Sequence, residues 1–484
     1  MSLTGIEPKV LWNNFSKLNA IPRPSKKEER VIAFMIEFGK SLGLETIQDR
    51  IGNVIIKKPA TSGMEQRKTV ILQSHLDMVH QKNASTVFDF DNQGIEMIID
   101  GDWVKANGTT LGADNGIGVA AIMAVLESSA IVHPAIEAMF TIDEETGMTG
   151  AMQLDPSNFE GEILLNLDTE DDDELSIGCA GGIDTNTEYS CSLEDINSDS
   201  NFITINVSGL IGGHSGMDID KGRGNANKII TRILLFLNKS IKFQLISIDG
   251  GSLRNAIPRE ANAVIAYDKN SETELNQMFQ EISDKIITEF QEIEGELVLK
   301  MTSCQSSERA VSEEDKMKIL NTLTTVHNGV FRMSPEIDGL VETSSSLARV
   351  ILKEGLFSTQ SLQRSSVEST KDDVANTIRA CFELMGCDVV QNGDYPGWKP
   401  NPNSEILQLM ADMYRQRFNE EPQIKACHAG LECGILLKHL PNVDMISFGP
   451  NIRAAHSPDE KVQISSVSKF WDFFLEVLNQ TPAK

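Results

Sequence analysis

Up to Gly181, hydrophobic positions fall in short, dense runs: NVIIKK, TVILQS, IEAMFTI and EILLNL. Apolar runs of this length predict buried strands. Helical patterns lie between them. Ser25 and Glu28 have the spacing of a capping box ahead of VIAFMIEFGKSLGL, which Gly43 closes. A second helix is predicted from about Gly116 to Ser128, after the ADNG turn. Strands that alternate with helices imply an α/β domain built on a mainly parallel mixed sheet.

The pattern changes near Gly181. From there to Pro400 the sequence predicts strand ITINVSG, a helix over Asn225–Leu237, strands FQLISI and ANAVIAY, the amphipathic helix ETELNQMFQEISDKIITEFQEI and strand ELVLKM. A second round follows: helix KMKILNTLTTVH, strands around SLARVIL and STQSLQR, helix DDVANTIRACFELM and strand CDVVQN. The order βαββα is thereby traversed twice, which points to a duplicated unit, although the residues themselves do not visibly repeat. After YPGWKPNPNS the α/β pattern resumes with SEILQLMADMYRQRF, strand DMISFGP and a helix over Val467–Leu478. The expected organisation is a catalytic domain in two parts, 1–181 and 401–484, interrupted by an inserted α+β domain over 182–400.

Charge narrows the partners. Lys and Arg number 43 against 70 Asp and Glu, a net charge of −27. That balance repels nucleic acid and anionic membranes. No window reaches the apolar length of a membrane span, and the N-terminus has no apolar signal core. Seven scattered cysteines without C-x-x-C pairs fit a reducing compartment, so the cytoplasm is expected.

The candidate chemistry lies at strand ends. SHLDMV, GADNGIG, TIDEETG, NLDTED and AAHSPDE carry His75, Asp114, Glu144, Glu145, Asp168 and His456. Strand C-termini of a parallel sheet face one crevice, so these residues can converge although they span most of the chain. A histidine or a Glu-Glu pair alone is commonly just solvated. Here apolar runs lead directly into the ionisable groups, and a metal supplies the reason. Two histidines and three carboxylates suit zinc, with manganese or cobalt as substitutes. One carboxylate can bridge two cations about 3.5–4 Å apart. The Glu144–Glu145 doublet allows one residue to ligate while its neighbour acts as general base. His80, His133, His327 and His439 lack such acidic company.

HLD, ADNGIG, DEETGMTGA, NLD and AHSPDE, in this order, resemble the aminoacylase/carnosinase-type di-zinc metallopeptidases. GDWVKANGTTLGADNGIG, GGHSGMDIDKGRGNAN, GGSLRNAIPREA and HAGLECGIL resemble the branch that cleaves aminoacyl-histidine dipeptides. The resemblance implies His75, Asp114 and Asp168 around one zinc, and Asp114, Glu145 and His456 around the other. Asp77 would orient His75, and Glu144 would be general base and then acid. A cis peptide is expected after Asp114. The insert would be a lid and a homodimer contact. From it His214 would stabilise the oxyanion, with Asn255 as a second candidate for the same carbonyl. Arg364 is the candidate clamp for the peptide carboxylate, and His428 and Glu432 would line a side-chain pocket. The implied activity is hydrolysis of Xaa-His and other short dipeptides, carnosine included, by a water that two zinc ions activate. An N-acyl-amino-acid deacylase, an aminopeptidase on the same scaffold and a non-catalytic metal-stabilised binding protein are the competing readings.

Overall fold

The protein is described from a computed structural model that covers residues 3, 5–83, 85–305 and 308–484. The chain forms two compact units: Met1–Gly178, Trp398–Ala426 and Leu431–Lys484 make the first, Cys179–Gly397 and Cys427–Gly430 the second.

The first unit is built on an eight-stranded mixed sheet. Four neighbouring strands run parallel at its centre, in the order Ile136–Thr141, Val70–His75, Ile163–Asn166 and Asp444–Ser447. Antiparallel strands flank them, Val54–Lys58 on one side and Glu174–Cys179 on the other. The first three central strands are buried throughout, as expected of strands covered on both faces. The helix Ala113–Glu127 packs on them and has almost no exposed face; Asp114 and Asn115 at its start have non-helical backbone angles, so the regular helix begins at Gly116. A smaller sheet joins the hairpin Met97–Asp100 and Trp103–Ala106 to the short strands Lys461–Gln463 and Ile452–Arg453. His456 lies at the tip between those last two strands, at a left-handed φ of 62°. The hydrophobic pattern announced neither this small sheet nor the helix Lys9–Asn19.

One sequence expectation is corrected. Ser25 and Glu28 do not form a capping box: the helix Glu29–Ser41 has no side-chain cap. The Ser25 hydroxyl donates instead to Asp77 Oδ2 at 2.7 Å, and Glu28 Oε1 accepts from the amides of Lys26 and Asp143. The same residue types satisfy the loops around His75 and Glu144 rather than a helix end. Gly43 does close the helix, at φ 70°.

The second unit holds a sheet whose main path is Val298–Ser303, Ser200–Ser208, Ala261–Asp268, Phe243–Gly250, Val341–Lys353, Leu356–Ser365, Gly181–Ser190 and Asp388–Tyr395. The first four strands, with helices Ala226–Leu237 and Glu272–Phe290, follow the chain order βαββαβ and the sheet order 4-1-3-2. The last four, with helices Glu313–Thr325 and Glu368–Met385, repeat that scheme. The halves meet where Phe243–Gly250 pairs antiparallel with Val341–Lys353. They are nested rather than consecutive, because Gly181–Ser190 precedes the whole first half yet pairs only within the second. Their helices and strands share one apolar core. Among the described residues no helix is long and apolar enough to cross a membrane.

Candidate metal centre

The parallel strands end on one edge of the first unit's sheet, and the loops beyond them bring six ionisable side chains together. His75 closes its strand with 1% of its side chain exposed. Its Nε2 lies 3.1 Å from Asp114 Oδ1 and 3.5 Å from Asp168 Oδ1. The other oxygen of Asp114 lies 3.0 Å from His456 Nε2, which is also 2.8 Å from Glu145 Oε2. Ligand atoms gather within 4.8 Å of one another in three sets: His75, Asp114 and Asp168; Asp114, Glu145 and His456; and His75, Glu144 and Glu145. Asp114 belongs to the first two. The Asp114–Asn115 peptide is cis.

Asp77 is fully buried behind His75. Its Oδ1 is 3.5 Å from His75 Nδ1, and its carboxylate accepts the amides of Glu144 at 3.0 Å and Glu145 at 3.2 Å. One carboxylate thus fixes both the imidazole and the turn that presents the glutamate pair. Asp143 turns away, with both its oxygens taken by the Thr146 and Thr149 hydroxyls.

Crowded carboxylates and histidines shift one another's protonation. Burial opposes a charge on His75, but Asp168, Asp114 and Asp77 outweigh it and raise its pKa well above the ordinary value. Hydrogen bonds to Asp114 and Glu145 lift His456 to about 11. Burial pushes Asp168 up to about 6, with Asp114 and Glu145 adding and His75 opposing. Glu144 is pushed well above the carboxylate range, first by burial and then by Asp168, Glu432 and Glu145, while His75 pulls it down. Two carboxylate oxygens here, Glu145 Oε1 and Asp168 Oδ1, are buried without a hydrogen-bond donor. Buried carboxylate oxygens of this kind call for a cation. Two imidazoles and three carboxylates are a donor set that a pair of divalent ions fits.

In the second unit, His214 pairs with Ala256 in a two-residue ladder, and the carbonyl of the neighbouring Asn255 accepts the Ser215 amide. His214 Nδ1 accepts the amides of Gly216 at 3.2 Å and Met217 at 3.0 Å. Nδ1 therefore faces two backbone donors. Burial and Arg364 keep that ring neutral by lowering its pKa to about 4. Arg364 Nη2 approaches His214 Nε2 at 3.5 Å, and Nη1 donates to Tyr395 Oη at 2.9 Å. Arg364 is 4% exposed, and its Nε has no acceptor. His428 lies in the same unit, 2.7 Å from Ser344 Oγ, with its pKa lowered to about 3 by burial, Arg364 and His214. Gly216 is tightly enclosed: a Cβ there would collide with the His428 carbonyl. Glu432 belongs instead to the first unit. It is 1% exposed and accepts from Gln73 Nε2 and Thr141 Oγ1, both at 2.7 Å.

Several further residues shape this centre. Gln73, Asn166 and Ser447 form a buried hydrogen-bonded ladder across three central strands, one layer below the acidic loops. Arg23 and Glu460 hold the loop that carries Asp114. In the sequence Glu460 is marked by its place in AHSPDE, four residues after the histidine; Arg23, between two prolines, carries no such signal.

A family model described as peptidase family M20/M25/M40 matches residues 71–480. The chain is 40% identical, over 482 residues, to the cytosol non-specific dipeptidase of Escherichia coli strain K12, covering 100% of this chain and 99% of that protein. The crystal structure of aminoacylhistidine dipeptidase from Vibrio alginolyticus superposes with a TM-score of 0.93 at 42% identity, covering 100% and 99% of the two chains. An aminopeptidase structure from Bacillus cereus shares the fold, with a TM-score of 0.57 at 16% identity over 98% of this chain and 99% of that one.

Proposed function

The chain belongs to peptidase family M20/M25/M40, and from that premise we propose that it is a metal-dependent dipeptidase acting on aminoacyl-histidine and other short dipeptides, carnosine among them. The observation that carries the metal reading is the placement of Asp114, whose two oxygens lie 3.1 and 3.0 Å from two different histidines. His75, Asp114 and Asp168 would hold one zinc ion, and Asp114, Glu145 and His456 the other, with manganese or cobalt as substitutes. When bound, such a pair acidifies a water and polarises the scissile carbonyl.

The protein's own groups supply the rest. Asp77 keeps His75 oriented. Glu144 takes the proton as the water oxygen bonds to the carbonyl carbon, and returns it to the amine nitrogen as the C–N bond breaks. One water is consumed, both its protons end on the leaving nitrogen, and a carboxylate and an ammonium leave. His214, with its proton on Nε2, donates to the oxyanion, and Asn255 is a second donor for the same oxygen. Arg364, buried and without an ion pair among the described residues, takes the substrate carboxylate through its planar fork. His428 and Glu432 line the pocket for the substrate side chain, Glu432 being held by Gln73 and Thr141. We place the protein in the cytoplasm, as a homodimer formed through the second unit; gel filtration checks the dimer.

The test is metal analysis alongside a substrate panel of carnosine, Gly-His, Leu-Gly-Gly and N-acetyl amino acids, with a chelator control. We expect about two zinc ions per chain and chelator-sensitive cleavage of the dipeptides. Turnover of only N-acetyl amino acids would make it a deacylase, and turnover of only the tripeptide an aminopeptidase. No turnover by metal-loaded protein would leave a binding protein.

A further inference from the structure

We propose that Glu460 and Arg23 are positioning residues that lock the Asp114 loop to the two histidine loops, and that affinity for the metal pair depends on them. The inference rests on the metal reading above and adds two residues to it. Glu460 is 2% exposed, and among the described residues no cationic side chain lies within hydrogen-bond distance of its carboxylate. It spans four successive amides: Oε2 accepts from Leu111 at 2.7 Å and Gly112 at 3.0 Å, and Oε1 from Ala113 at 2.8 Å and Asp114 at 3.3 Å. A run of converging amides is the environment that backbone offers to an anion, and here a side chain of the same protein fills it. Glu460 is tied to His456 by a turn in which its amide donates to the Ser457 carbonyl at 3.0 Å.

Arg23 grips the other side of the same loop. It is fully buried, and it donates to the Gly112 carbonyl at 2.6 Å, to Leu76 at 3.0 Å and to Asp77 at 2.9 Å. Gly112 is therefore held by its amide and by its carbonyl, at φ 72°, and a Cβ there would lie 2.5 Å from Arg23 Nη2. The His75, Asp114 and His456 loops are joined through two opposite charges that stand outside the three sets of gathered ligand atoms. Groups that orient ligands in this way typically contribute about 10–100-fold in metal affinity.

The experiment compares wild type, Glu460→Gln, Glu460→Asp and Arg23→Lys. Zinc affinity is read by competition with a chromophoric chelator, folding by circular dichroism and melting of chelator-treated protein, and kcat and KM at rising zinc. Gln leaves one acceptor oxygen for four amides, and Lys cannot reach three carbonyls. We expect zinc binding about 10–100-fold weaker in Glu460→Gln and Arg23→Lys, an intermediate value in Glu460→Asp, and kcat restored to within about threefold at saturating zinc with KM unchanged. A residue that only supports the fold would lower the melting temperature and leave zinc affinity alone. Affinity within about twofold of wild type in folded variants overturns the proposal. Should Glu460→Gln fail to fold, Arg23→Lys and Glu460→Asp decide on the same criterion. Wild type that binds no zinc pair would instead overturn the metal reading itself.

Discussion

Glu144 and its neighbour differ by one position in the chain and by their partners in space. Glu145 Oε2 lies against His456, whereas Glu144 belongs to neither of the two sets that share Asp114, and its amide is held by Asp77. Glu144→Gln is therefore expected to retain both metals and lose about 10²–10⁴-fold in kcat, read from metal content and steady-state kinetics. His214→Ala should also keep both metals while kcat falls about 10²–10³-fold; loss of metal would put His214 among the ligands. His428 gives a signed pH dependence. Its folded pKa of about 3 lies below the unfolded 6.5, so the unfolded chain binds the proton first. The stability this neutral ring contributes is complete above pH 6.5 and is lost as pH falls toward 3, by up to about 1.4 kcal/mol per pH unit. Denaturant titrations of His428→Gln should show a shallower decline than wild type across that window; equal slopes would place the imidazole in water. At this scale legibility divided by partner type. His75, Glu144, Glu145 and Asp168 could be read because apolar runs lead into them. Arg23 could not, because it bonds to backbone carbonyls, which leave no mark in a sequence; Glu460 had only its place four residues after His456 to mark it.

Elements were legible where burial was extreme. Strands such as Val70–His75, buried at every position, stood out as unbroken apolar runs, and the helix that regularises at Gly116 was bounded correctly. The failures have physical causes. Ser25 and Glu28 have the letters of a helix cap, but the hydroxyl and carboxylate found better partners in Asp77 and the Asp143 amide. The small sheet beneath His456 escaped because two- to four-residue strands carry too few positions for a period. The buried helix gives a test of its own. A Cβ at Gly118 would lie 2.5 Å from Ser74 Oγ, 2.6 Å from Asn115 Oδ1 and 2.8 Å from the Leu167 carbonyl. Backbone at Leu167 cannot move without shifting Asp168. Gly118→Ala should cost about 1–3 kcal/mol by chemical denaturation and weaken metal binding; an unchanged midpoint would show that the helix can slide.

For the molecule as a whole, the order of elements foretold two passes through one βαββα scheme but not their nesting, since strand pairing across a long insertion has no local signature. The net charge of −27 also has a consequence at this scale. Part of that charge is confined to the acidic centre of the first unit, where a divalent pair would relieve it. At free zinc of about 100 times Kd, binding should stabilise the protein by about 2.7 kcal/mol per site. Scanning calorimetry with and without chelator should show the matching fall in Tm, and a Tm indifferent to zinc would contradict a native-state site.

The position of His456 late in the chain, on a tip braced by Ile452–Arg453 and Lys461–Gln463, has a bearing on biosynthesis. The other proposed ligands have all left the ribosome by residue 168, yet the strand Asp444–Ser447 that borders Ile163–Asn166, and the last imidazole beyond it, emerge almost 300 residues later. At about 5–20 residues per second, that is some 15–60 s during which the nascent polypeptide cannot assemble its hydrolytic centre. Peptide cleavage is thereby deferred until the segment carrying His456 has emerged.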